Sequence, residues 1–156
     1  MDAFMKVDGI DGGSQSKDHK GSVDILSWNW GVTTQTSGSA GSGGTIGRPR
    51  AHELRVVHLY DLASPELASR AVTGKHLKEA TLTVARSGAS KDFLTVKMKD
   101  VVVTEVLASG DEDDVSEEVA FSPAWISFDY AEPGHGGGAG GRTSSFTWDI
   151  RSNKMG

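Results

Sequence analysis

The feature that most constrains this chain is a period of two in its apolar residues. From Ser22 to Thr34, Leu26, Trp28, Trp30 and Val32 alternate with Ser27, Asn29, Gly31 and Thr33, as they would on a strand with one apolar face. Val23 and Ile25 have the opposite parity, which predicts a bulge near Ile25 and Leu26 where the strand is re-aimed. Leu82 and Val84 alternate with Thr81, Thr83 and Ala85, and Leu94, Val96 and Met98 with Thr95, Lys97 and Lys99, before Val101, Val102 and Val103 change the pattern. Ile126, Phe128 and Tyr130 alternate with Ser127 and Asp129; Phe146, Trp148 and Ile150 alternate with Thr147, Asp149 and Arg151. Residues 3–8 and 52–60 are further strand candidates. About seven strands, many apolar on one face, predict a mainly β fold, a small antiparallel β-barrel or two-sheet sandwich.

One segment carries helix punctuation instead. Ser64 can cap, Pro65 suits the first helical position, and Glu66 places negative charge at the positive end of the helix dipole. Leu67, Ala68, Ala71 and Val72 fall on one side of a helix, and Gly74 can take the left-handed conformation that ends it. One short α-helix is therefore expected, packed on the sheet by a narrow stripe.

Composition removes several functions. At 156 residues a single domain spanning 1–156 is expected. With no Cys, no disulfide, thiolate nucleophile or Cys-ligated metal is possible. A net charge of −5 argues against a dedicated nucleic-acid partner, which would need a clustered basic face. The start of the chain, Met1 to Asp8, lacks an apolar signal-peptide core, and no apolar run is long enough for membrane insertion. A protein made and kept in the cytoplasm is expected unless a dedicated machine exports it.

Glycine is concentrated in two places, Thr36 to Gly47 and Gly134 to Gly141. Both read as long loops, at about 36–50 and 134–141. Loops of this length without structure of their own are unusual unless they serve a function.

The motifs that carry chemistry fail one by one. His52-Glu53 begins a zincin pattern, but Val56 stands where the second His is required. His58 would lie roughly 20 Å from His52 along a strand, too far to share a metal. His19, His76 and His135 have no neighbouring ligand pattern. Gly136, Gly138 and Gly141 match the dinucleotide fingerprint, yet a strand rather than a helix is expected after them. Gly74-Lys75 lacks the Ser or Thr and the earlier Gly of a phosphate loop, and His76 follows. The run Asp111 to Asp114 departs from a calcium loop at Val115 and Ser116 and reads as a solvated turn. No nucleophile elbow occurs, so no catalytic residue, metal or cofactor is expected.

What stands out is the second strand. Trp28 and Trp30 are expected in the core, which leaves Ser27, Asn29, Gly31 and Thr33 as a small, polar, uncharged opposite face. Such a face suits a surface along which other molecules pass or rest without strong adhesion.

Three stretches carry a resemblance that composition could not supply. FMKVDGIDGGSQSKDHKGSVDILSWNWGV, from Phe4 to Val32, resembles the start of the haemolysin-coregulated protein (Hcp) family, whose members form the inner tube of the bacterial type VI secretion system. LYDLASPELASRAVTGKHLKEATLTVARSG, Leu59 to Gly88, is similar to that family's helix and following strand, with the SP, TGKH and ATLT elements in order. FTWDIRSNKMG, Phe146 to Gly156, resembles its closing strand and Asn-Lys tail. Together they span nearly the whole chain.

The resemblance implies a small barrel of two sheets with one helix, assembled as a homo-hexameric ring, with rings stacking into a hollow tube. A contracting sheath drives that tube, tipped by spike proteins, into another cell, and effector proteins ride in the lumen. Assembly would take place in the bacterial cytoplasm, and the protein would then be secreted by the type VI system without a cleavable signal peptide. Rings also cover sheet edges that would otherwise be unpaired. By the family's arrangement the long loop reaches the adjacent ring, which makes Thr45, Ile46, Arg48 and Arg50 candidates for stacking. Ile46 would supply apolar contact, and Arg48 and Arg50 would meet Asp111, Asp113 and Asp114 of a neighbour; a solvated basic turn is the other reading. Ser27, Asn29 and Gly31 are the candidates for lumen and effector contact.

Two departures from the family are visible. Asn29 replaces the smaller residue often found between the two tryptophans, which would alter cargo preference. The Gly-rich stretch Gly134 to Gly141 is an insert that leaves that loop's role open. With the chain ending at Gly156, no fused toxin is expected. Three readings follow: a structural tube subunit; an independent, lectin-like β-sandwich that binds a ligand in its Gly-rich loops; and an enzyme, for which the sequence offers no constellation.

Overall fold

The computed structural model describes residues 1–37, 45–89, 91–133 and 141–156. Its strands are β1 (Asp2–Val7), β2 (Val23–Ile25), β3 (Ser27–Asn29), β4 (Val32–Thr33), β5 (Thr36–Ser37), β6 (Thr45–Ile46), β7 (Arg50–Ala51) and β8 (Leu54–Leu59). After the helix α1 (Ala63–Thr73) come β9 (Leu77–Ala85), β10 (Asp92–Gly110), β11 (Val115–Ala131), β12 (Thr143–Asp149) and β13 (Lys154–Met155).

The main sheet runs β13-β12-β11-β10-β9-β1-β2, and a branch adds β8 on β11 and β3 on β8. β10 and β11 form a long hairpin, paired from Leu94 with Tyr130 to Gly110 with Val115. β11 divides one edge between two partners: Ser116 to Phe121 pairs with β8, and Trp125 to Ala131 pairs with β12. That division turns the sheet back on itself as two layers, and the core between them holds Met5, Leu54, Leu67, Leu82, Met98, Phe121 and Ile126. The architecture is the expected antiparallel β structure with one helix, and its ladders stop short of a continuous closed barrel. β2 pairs with β1 and β3 pairs with β8, and the chain changes ladder at Leu26.

Leu26 is the bulge anticipated from the parity switch. Its N–H donates to Val57 O at 2.8 Å, and Ser27 is the register partner of the same Val57. Two residues opposite one place consecutive side chains on the same side of the strand: Ile25 is buried, while Leu26 (63 % exposed) and Ser27 both face out. The expectation that Leu26 and Val32 share the tryptophan face therefore fails. Val32 is exposed in β4, where the chain leaves the sheet. Trp28 and Trp30 are half-buried against the core, and Trp30 leans on Phe128 with ring centroids 4.8 Å apart.

The helix begins slightly earlier than its punctuation implied. Leu62 occupies the cap position with helical backbone angles, and the capping falls to Asp61, whose Oδ1 accepts the Ala63 N–H at 2.8 Å. Ser64 is buried and its Oγ accepts the Asp61 N–H at 3.0 Å. Pro65 still lies in the first turn, where a missing N–H breaks no intrahelical bond. Gly74 ends the helix with φ 70°, as expected, and its N–H reaches Arg70 O at 2.9 Å. Val72, assigned to the packing stripe, is exposed instead, and Leu67 carries the contact.

The first Gly-rich stretch corrects the loop reading. β4 pairs with β7 and β5 with β6, so the described residues on either side form a two-stranded arm. Gly31 O accepts the His52 N–H at 2.8 Å, continuing the β3–β8 pairing into the arm, and Gln35 O accepts the Gly47 N–H at 2.7 Å. Residues 38–44 lie outside the described residues. So do 134–140 of the second stretch, including His135, Gly136 and Gly138. Its visible ends are joined by Glu132, whose carboxylate accepts from the Arg142 backbone and guanidinium.

Candidate functional site

Ser27 and Asn29 are exposed and Gly31 is half-buried, in keeping with an outward face. Asn29 lies opposite Arg55 in the β3–β8 register, and this neighbour changes the character of the surface. Arg55 Nη1 donates to Glu105 Oε1 at 2.9 Å and to Glu118 Oε1 at 3.2 Å, and its Nη2 donates to Glu53 Oε2 at 3.2 Å. The hydrogen bonds that the guanidinium donates to Glu105 and Glu118 hold its pKa above the ordinary value. The face expected to be uncharged is thus bordered by an ionic network drawn from β8, β10 and β11. Where β3 and β8 meet the arm, an open depression of about 390 Å³ includes Asn29, Arg50, Glu53 and Arg55 in its wall.

The candidate stacking residues fall into two groups at opposite ends of β8. Ala51 and Arg50 end the arm just before Leu54, which pairs with Phe121; at the other end Leu59 pairs with Ser116, beside the β10–β11 turn. Six strand residues separate these ends by about 20 Å. Arg48 and Arg50 are exposed, and Arg48 Nη2 donates to Arg151 O at 3.4 Å. Thr45 and Ile46 lie on β6 by backbone pairing, and their side chains are outside the described set. Asp111, Asp113 and Asp114 are all exposed in a tight turn. Asp111 Oδ1 accepts the N–H groups of Asp113 at 2.8 Å and Asp114 at 2.9 Å. The Asp114 and Asp113 N–H groups hold the Asp111 carboxyl below the usual carboxylate range.

Near the base of the arm Asp100 draws three elements together. It accepts from His76 Nδ1 at 2.6 Å and from the Arg151 guanidinium, and its backbone is left-handed, φ 51°. His76 first and Arg151 second lower its pKa. Arg151 in turn receives Arg48 through its carbonyl.

His52 and His58 do not meet. His52 is exposed beside Thr33, Nε2 to Oγ1 3.3 Å; His58 is sealed in the core. Among the described residues no cluster of three or more His, Asp or Glu is arranged to hold a metal. Sequence reasoning missed two constellations. His58 Nε2 lies 2.9 Å from Oε1 of buried Glu117, and its Nδ1 stands 3.8 Å from Asp61 Oδ2. The Arg55 network was missed as well, although Glu53 and Arg55, two residues apart at the start of β8, hinted at it.

Comparison with known proteins bears on what such a subunit is. A family profile described as "Type VI secretion system effector, Hcp" matches residues 4–130. A curated relative, Protein hcp1 of Pseudomonas aeruginosa, is 31 % identical over 157 residues, covering 98 % of this chain and 97 % of its own. Among solved structures, Hcp1 from Salmonella typhimurium is 30 % identical with a TM-score of 0.83, covering 99 % of this chain and 97 % of the other. A structure described as a type six secretion system protein is 28 % identical with a TM-score of 0.90, covering 99 % of each chain. A type VI secretion system effector from Yersinia pestis is 29 % identical with a TM-score of 0.78, covering 96 % and 100 %. The arm-bearing two-layer β subunit described above is thus a type VI secretion protein. The chain belongs to the Hcp family.

Proposed function

We propose that this chain is the structural subunit of a type VI secretion tube, acting as one domain that closes with five copies into a ring and stacks ring on ring. The observation that carries the reading beyond family membership is the polarity of the subunit. An arm with Arg48 and Arg50, and no acidic residue from Gly31 to His52, leaves one end of β8, and the turn Asp111 to Asp114 lies at the other. Head-to-tail stacking brings the basic arm of one ring to the acidic turn of the next, and rim charges of this kind set register and association rate more than affinity. Thr45 and Ile46 would reach across with the arm.

Ser27, Asn29 and Gly31 face the lumen in this reading, and effector proteins pass along them. Sheath and spike proteins are the other partners, and the assembled protein leaves the bacterial cytoplasm with its cargo. Its work is mechanical and involves no catalysis. Family membership favours this over an independent lectin-like module. Light scattering with negative-stain imaging of the purified protein tests it: ring-sized particles are expected, and a protomer that stays single at high concentration overturns it.

A further inference from the structure

We propose that the outward face of β3, β8, β11 and β10 is a docking surface for a protein segment that carries apolar residues beside Lys or Arg, a proposal that rests on the lumenal placement given above. The ladder registers build this face. Ser27 is opposite Val57, Val57 opposite Glu118 and Glu118 opposite Leu107; one step along, Leu59 is opposite Ser116. The alternate residues Val56, His58, Glu117 and Val119 are buried, so the first set points out. At the bulge Leu26 joins it.

Leu26 is 63 % exposed, Leu107 55 % and Leu59 46 %, three large aliphatic side chains around a face whose centre is Val57 and Glu118 and whose edge strand β3 carries the small Ser27. One register step toward the arm, Arg55 and Glu105 flank Ala120, and Arg55 is the single cation among Glu105, the neighbouring Glu118 and Glu53 just before β8. Arg55 engages one oxygen of Glu105 and one of Glu118, and these carboxylate side chains remain 47 % and 38 % exposed. The field there is net negative, next to apolar surface. A purely apolar segment would leave the carboxylates unmatched. An acidic segment, the turn Asp111 to Asp114 of another copy included, would be repelled. A segment that alternates aliphatic and basic residues satisfies both halves.

The test uses the purified full-length protein in whatever state of assembly it adopts and a short fluorescein-labelled peptide of repeating Leu, Ser and Lys, with an analogue in which each Lys is Glu. Fluorescence anisotropy should show the Lys peptide binding about tenfold more tightly than the Glu analogue. Leu107→Ser, or Leu59→Ser should the first fail to fold, should weaken the Lys peptide about fivefold or more. Glu105→Gln with Glu118→Gln should bring the two peptides within about twofold of each other. Equal binding of both peptides to the native protein overturns the proposal. So does a Leu107→Ser protein that binds as the native does, or one that loses its assembly, since the face would then join copies of this chain. Failure of the native protein to form rings counts against the tube reading alone, because the peptide preference is still measured on the protomer.

Discussion

His58 and Glu117 face each other across the β8–β11 ladder, Nε2 to Oε1 2.9 Å, with relative exposures of 0 % and 2 %. A buried hydrogen-bonded pair costs little net stability when intact, but losing one member leaves the other stranded in a low dielectric. Glu117→Ala should therefore lower unfolding stability by about 3 kcal/mol, and the double variant His58→Leu, Glu117→Leu should recover most of it. Urea denaturation of both variants checks this. A single variant within about 1 kcal/mol of the native protein would mean that water already reaches the site.

The arm gives a second prediction. Arg48→Glu with Arg50→Glu should leave single rings intact and shorten stacked filaments, because the reversed arm would meet Asp111 to Asp114 with like charge. Unchanged filament lengths by electron microscopy would remove the arm from the stacking contact. Raised salt should shorten native filaments in the same direction, since exposed charges are screened over about 8 Å at physiological ionic strength.

At Asn29, replacement by Arg adds a long cation directly opposite Arg55. The position is exposed, so the subunit should keep its melting temperature within a few degrees. Recovery of effectors in a pull-down should fall. Undiminished recovery would place the cargo path elsewhere.

Asp100 predicts a pH dependence. Its folded-state pKa lies below the ordinary 3.8 because His76 and Arg151 bond to the ionised form. The associated stability is therefore present above the unfolded-state value and is lost as pH falls through the lower folded-state value. Native protein and Asp100→Asn should differ in melting temperature at pH 5, and the difference should shrink below about pH 4. A difference that persists undiminished into strong acid would show that packing, and not charge, holds this junction.

Much of this was readable from residue order, and the rest failed for identifiable reasons. Ile126 and Trp148 declare their burial through simple alternation, and both are in the core. The bulge at Leu26 followed from the change of parity after Ile25, and the acidic turn from its repelling charges. The pairing inside the arm was hidden because β5 and β6 are two residues each, separated by Gly and Ser, too short to show a period. His58 and Glu117 are 59 positions apart, and only the register of β8 on β11 makes them neighbours. Arg55 needs the same ladder, plus the β10–β11 hairpin, before its three carboxylates converge. Val72 was misplaced because α1 rests mainly on Leu67 and needs a narrower stripe than the pattern offered. Left-handed Asp100 had no warning, since φ above zero is uncommon outside glycine.

The continuity of the arm with β3 and β8 has a mechanical consequence. Antiparallel ladder bonds run across the strands, so tension along the arm is transmitted into β8 and β11 as shear, with the cross-strand bonds strained together and not peeled one after another. In the stacking proposed above, a force taken up by the arm would therefore enter the body of the protein through many cross-strand bonds at once.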